Sequence, residues 1–234
     1  MLCLALAVAG CSLTDQTPVY RYRLTVEVDT PDGVKTGLSV IEVDTEVAGG
    51  YSIPTPGRVT NRVRGEAVTV DLGEGRVLFA LLRSEADIDW AGRVMYRLSP
   101  QYVGENALRD GYRNMLRHRP ERTVPRHFSR ADQVNERSAY PMLVTFRDID
   151  DPTSVEEVDP DDLAATFGEG VSLKRITVQI TDDPVTSGIG QRLGWLGQYR
   201  KKHFDGTSTA SEDLTTNDLT ARFSAGTFST KFAR

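Results

Sequence analysis

The sequence predicts an α+β fold, mainly an antiparallel sheet built from hairpins with a few short helices. Three observations predict it. Two stretches of the 234-residue chain alternate apolar and polar residues with period two and end in turn-forming residues. Apolar stripes at helical spacing are confined to short segments punctuated by Gly and Pro. There is no repeat of fixed period and no long flexible linker, which favours one α+β domain over residues 19–234.

The first strand is Tyr20, Tyr22, Leu24, Val26 and Val28 alternating with Arg21, Arg23, Thr25, Glu27 and Asp29, half buried with a polar outer face. Pro31-Asp32-Gly33 turns the chain, and Leu38 to Val43 returns as a second strand. Val68, Val70 and Leu72 alternate with Thr69 and Asp71, Gly73-Glu74-Gly75 turns, and Val77 to Leu82 runs apolar on both faces. A strand with two apolar faces needs cover on each, so this hairpin is expected to be central. Ser84 with Asp87 three residues on reads as a helix start, followed by Trp90, Ala91, Val94, Met95 and Leu98 on one stripe and closed by Pro100. A second helix is expected over Val103 to Leu116. From there to Ala139 the chain is polar, punctuated by proline and rich in arginine, an ordered loop or mobile excursion. Met142, Val144 and Phe146, then Ile176, Val178 and Ile180, suggest a further strand pair. Between them Asp159-Pro160-Asp161-Asp162 starts a short helix through Phe167, ended by Gly168. Ile189 to Tyr199 is interrupted by glycine and carries Trp195, Asp205-Gly206 is a turn, and Asn217 to Phe223 is one more short helix.

Residues Met1 to Gly10 are uncharged and mostly apolar, end in small residues and are too short to span a bilayer, which needs roughly 20 residues. The run Val8-Ala9-Gly10-Cys11 resembles the lipobox of bacterial lipoproteins. The resemblance implies that residues 1–10 are a signal peptide, that Cys11 is acylated and becomes the first mature residue, and that residues 11–18 are a tether. No Lys or Arg precedes the apolar run, a departure from the family pattern. Ser12 after the cysteine, by the same resemblance, implies sorting to the outer membrane. With Cys3 lost in the leader and Cys11 modified, no structural disulfide is expected. The layout also resembles small uncharacterised alphaproteobacterial lipoproteins, which share stretches like Tyr20-Arg21-Tyr22-Arg23-Leu24-Thr25-Val26 and Leu173-Lys174-Arg175-Ile176-Thr177-Val178. That resemblance carries no activity.

Composition excludes several classes. A net charge of −5 argues against a nucleic-acid binder, and 39% hydrophobic with 26% charged residues is ordinary for a globular chain. No HExxH, CxxC, GxSxG or GxxxxGK[ST] occurs. Gly188, Gly190 and Gly194 miss the dinucleotide-loop spacing by one residue. His118, His127 and His203 lack a neighbouring ligand cluster, so no metal and no cofactor is expected.

Two charge concentrations remain. Eight carboxylates lie between Asp148 and Asp162, read as a solvated, helix-capping loop in preference to a calcium site, because the EF-hand pattern is missing. Between Arg109 and Arg137 eight arginines face four acids, and Arg109, Arg113 and Arg117 fall on one helical face. On a tethered protein such a stripe can touch anionic headgroups or cell-wall carboxylates, whereas pairing with the acid cluster would neutralise it. The expectation is an envelope lipoprotein at the periplasmic face of a membrane that binds a partner protein or cell-wall component through Arg109, Arg113, Arg117 and an exposed Trp195. The competing expectation is a periplasmic hydrolase whose site is assembled from dispersed Asp, His and Ser residues.

Overall fold

The computed structural model describes residues 14–48, 58–100, 103–104, 107–117, 119–128, 138–209 and 216–233. The strands are β1 (Thr14–Gln16), β2 (Tyr20–Thr30), β3 (Gly33–Ala48), β4 (Val59–Arg64), β5 (Val68–Gly73), β6 (Arg76–Ala80), β7 (Arg122–Thr123), β8 (Leu143–Phe146), β9 (Val155–Glu157) and β10 (Ser172–Thr181). The helices are α1 (Trp90–Arg97), α2 (Ala107–Arg117) and four single turns: α3 (Ala164–Phe167), α4 (Ile189–Arg192), α5 (Leu219–Arg222) and α6 (Ala225–Phe228). Two antiparallel sheets result, as the alternation predicts. The six-stranded sheet runs β1-β3-β2-β10-β7, with β4 on the other edge of β3, and the four-stranded sheet runs β5-β6-β8-β9.

Period two decides how the large sheet faces. Tyr20, Tyr22, Leu24, Val26 and Val28 of β2 are all buried, 0–4% exposed, and each fully buried side chain of this kind is worth about 1.5–3 kcal/mol. On the opposite face, register sets unlike charges side by side: Arg21 opposite Glu42, Glu27 opposite Arg175, Glu42 opposite Arg64 and Asp44 opposite Arg62. These cross-strand pairs are worth roughly 0.2–1 kcal/mol each, so the buried row dominates and the ladder mainly fixes register.

The four-stranded sheet is the middle layer. Leu78, Ala80 and Leu82 face the large sheet, while Val77, Phe79 and Leu81 face a second core with Phe146, Trp195, Phe204, Phe223 and Phe228. This meets the expectation for β6, which is covered on both faces, whereas β5 is the edge strand of its sheet and leaves Asp71 exposed. The two sheets approach closely at Gly37, where a Cβ would lie 2.3 Å from the Thr69 carbonyl oxygen.

Several expectations are corrected. β8 and β10 do not pair with each other, because β8 joins β6 and β9 while β10 joins β2 and β7. Apolar alternation identifies a strand but not its neighbour. Ser84 accepts the Asp87 amide in a turn, and the helix begins only at Trp90 with Asp89 as its cap residue. The second helix starts at Ala107 and not at Val103. Leu163 is the cap residue of the α3 turn, the Asp162 carboxylate accepts the Ala165 amide, and Pro160 lies in the preceding turn. Part of the arginine-rich stretch is ordered into the large sheet, since Arg122 and Thr123 pair with β10 and Val124 is fully buried. The expected tether also shortens: Thr14–Gln16 already pairs with Glu46–Ala48, and the buried Thr17 hydroxyl donates to the Thr45 carbonyl.

Candidate functional site

A cavity of about 860 Å3 lies at the β4 edge, between the Pro184–Gly188 loop and the Ser229–Phe232 tail. Backbone hydrogen bonds hold this loop against β3, because Val40 donates to the Thr186 hydroxyl and accepts from the Thr186 amide. Glu66 fixes the floor: its carboxylate, 7% exposed, accepts the Gly188 and Ile189 amides at 3.0 and 3.2 Å. Two donors at the start of α4, that of Ile189 buried, are thereby satisfied, so Glu66 is committed to structure.

Arg21, Arg64 and Lys231 line the cavity. Arg21 and Arg64 share one acid, Glu42, at 2.8 and 2.9 Å. Those contacts, led by the hydrogen bond from Arg21, hold the Glu42 carboxyl below its ordinary range. Lys231 has no ion pair among the described residues and reaches over the Phe232 ring, which Arg200 also approaches at 5.9 Å. The cavity therefore presents more positive than negative charge, beside the hydroxyls of Ser187 and Thr230. That chemistry suits a carboxylate or phosphate group.

A second cavity, about 360 Å3, is lined by Glu85, Glu157, Asp159, Arg126, Ser138 and Tyr140 among others. Burial raises the Glu157 carboxyl above its ordinary range, and the like charges of Glu85 and Asp159 add to this against the pull of Arg222. The Tyr140 phenol is raised by burial too. Arg126 is occupied, since it donates to Asp161 and Ser138 and lies over the Tyr140 ring.

A third, smaller slot of about 270 Å3 separates β4 from α1 and α2. Val59 and Leu108 line it with the stacked rings of Tyr96 and Tyr112, whose centroids are 4.8 Å apart. Arg93 and Arg97 lie at its edge and are neutralised by Asp87 and Asp89.

The residues singled out from the sequence are not brought together. Cys11 lies outside the described residues. Arg109, Arg113 and Arg117 all lie on α2; Arg113 and Arg117 are exposed, and the side chain of Arg109 lies outside the described residues. The acid cluster does not neutralise this stripe: Arg126 alone of the arginine-rich stretch reaches the cluster, at Asp161, among the described residues. Asp148, Asp151, Asp159 and Asp162 instead accept nearby amides in turns, and no grouping of His, Cys, Asp and Glu among the described residues could hold a metal ion.

Trp195 is a correction. It is 8% exposed, donates its indole N–H to the Ile149 carbonyl at 2.8 Å and packs edge-on against Phe146 and Phe204. It belongs to the second core and offers no binding surface. His203 is also buried, with neither ring nitrogen hydrogen-bonded among the described residues, while His127 is exposed. The cationic cavity was missed because its lining comes from four distant segments. The spacing of Arg21, Glu42 and Arg64 becomes a signal only once the register of β2, β3 and β4 is known. No protein-family model matches the chain, and neither does any curated protein or solved structure.

Proposed function

We propose that the chain is an envelope lipoprotein, held at the periplasmic face of a membrane by acyl-Cys11, that binds an anionic envelope component. The anchor rests on Val8-Ala9-Gly10-Cys11. Acyl chains on one residue anchor strongly, at about 0.8 kcal/mol per buried methylene. The binding role is carried by the cationic cavity, where Arg21, Arg64 and Lys231 converge and Glu66 is already spent on two amides. Cell-wall fragments with free carboxylates are the ligand class this charge favours.

Two experiments test the reading. Cys11→Ala should move the protein from the membrane to the soluble fraction of fractionated cells, and unchanged retention contradicts the anchor. Titration calorimetry of the mature chain with carboxylate-bearing muropeptides should give binding that an Arg64→Glu, Lys231→Glu variant loses; equal heats from both proteins contradict the cavity.

The hydrolase reading keeps one specific observation, the carboxyl of Glu157 raised by burial beside Glu85, since an upward shift moves a carboxyl towards the range of a general acid. A Glu157→Gln variant with unchanged hydrolysis of cell-wall polymer, in an assay where the parent chain is active, would remove it.

A further inference from the structure

We infer that the end of the domain formed by β1, the last turn of β3, the start of β4 and α2 rests directly on an anionic bilayer surface. This rests on the anchor reading above. Only Ser12 and Leu13 separate Cys11 from β1. At no more than about 3.6 Å per residue, the Cα atoms of Cys11 and Thr14 are at most about 11 Å apart. Asp15 pairs with Val47, which pairs with Val59 on its other side, so Val59 sits two strand spacings, about 10 Å, from the tether. β3 is 16 residues long, which puts the Asp32 turn about 50 Å away at the opposite end.

Chemistry agrees with this geometry. Val59 is 39% exposed, and beside it Leu108 brings the start of α2 to the same slot. From there α2 crosses the sheet towards β10, where the following Arg119 pairs with Asp182. Arginines on the outer face of the large sheet, Arg21, Arg23, Arg62, Arg64 and Arg175, are all held by acids. At Arg58 and along α2 the balance differs. Arg58 and Arg117 are exposed and have no ion pair among the described residues, and Arg113 has only a long contact of 3.9 Å to Asp110. Exposed arginines on the anchored side of the domain supply the second, electrostatic signal that a lipidated protein uses on anionic lipid.

The test uses the acylated full-length mature chain on vesicles containing phosphatidylglycerol, with a thiol-reactive fluorophore at Val59→Cys or Arg58→Cys and at Asp32→Cys. All three positions are exposed. Lipids carrying a quencher near the headgroup should remove most of the fluorescence at 58 and 59 and none at 32. An Arg113→Glu, Arg117→Glu variant should stay on the vesicles yet lose much of the quenching at 59. Equal quenching at 59 and 32, or full quenching in the charge-reversed variant, overturns the orientation while leaving the anchor intact. A mature chain that carries no acyl group and does not float with vesicles overturns both.

Discussion

Gly37→Ala is the sharpest test of how the two sheets pack. Gly37 is on the inner face of β3, opposite Val26 of β2, and a methyl group there would lie 2.3 Å from the Thr69 carbonyl oxygen, 2.8 Å from its carbon and 2.9 Å from Val70 Cγ2. Two of those atoms are backbone of β5, whose ladder with β6 resists displacement, so relief requires the sheets to separate locally. Overpacking a core costs about 1–3 kcal/mol, and a clash with backbone belongs at the top of that range, about 3 kcal/mol. For a chain of this size each kcal/mol moves the melting temperature by about 2–4 °C, so a loss of about 6–12 °C is expected. The assay is thermal unfolding followed by circular dichroism, beside Gly197→Ala, where nothing lies within 4 Å of the new methyl. The control should melt at the parental temperature or slightly above it. A Gly37→Ala protein that melts within about 2 °C of the parent would refute the close approach of β3 and β5.

Other outcomes follow from the same geometry. Glu66→Ala should leave the Gly188 and Ile189 amides without their acceptor and lower stability by about 2 kcal/mol in urea titrations; an unchanged midpoint would show that the loop is held otherwise. Trp195→Ala should cost about 3–5 kcal/mol by the same assay, because a buried ring and its bond to Ile149 are lost, whereas an exposed binding residue would cost little. On acidification, Glu27, Glu42 and Asp161 carry carboxyls held low chiefly by hydrogen bonds from Arg175, Arg21 and Arg126. Folded carboxyls below their unfolded values stabilise above the ordinary range and lose that contribution as pH falls through it, so the urea midpoint should drop below about pH 4. Glu157, raised by burial, works in the opposite sense but is a single group. A midpoint that holds or rises from pH 5 to about pH 3 would contradict the ion-pair ladder.

How much was legible in the sequence differs by kind of interaction. Local alternation disclosed β2 and the β5–β6 hairpin with their faces, because the side-chain period of a strand is a property of the chain itself. Even the second core was foreshadowed, since Val77 to Leu82 has no polar face to give to water. What alternation does not carry is the partner. β8 and β10 look alike as sequences and belong to different sheets, a matter of connections that run through α3 and β9. Trp195 illustrates the same limit for side chains: its glycine-rich surroundings suggest exposure, but its edge-on contacts with Phe146 and Phe204 arise only when those rings gather from distant segments with Phe223 and Phe228. The cationic cavity was hidden for this reason, whereas the stripe on α2 was visible because helical spacing alone aligns Arg109, Arg113 and Arg117.

The central claim is settled most directly by mass spectrometry of the amino-terminal peptide from protein purified out of its own membranes. The account predicts a peptide that begins at Cys11 and carries the added mass of acyl chains. An unmodified peptide that runs from the leader through Cys11 into Thr14 would contradict it.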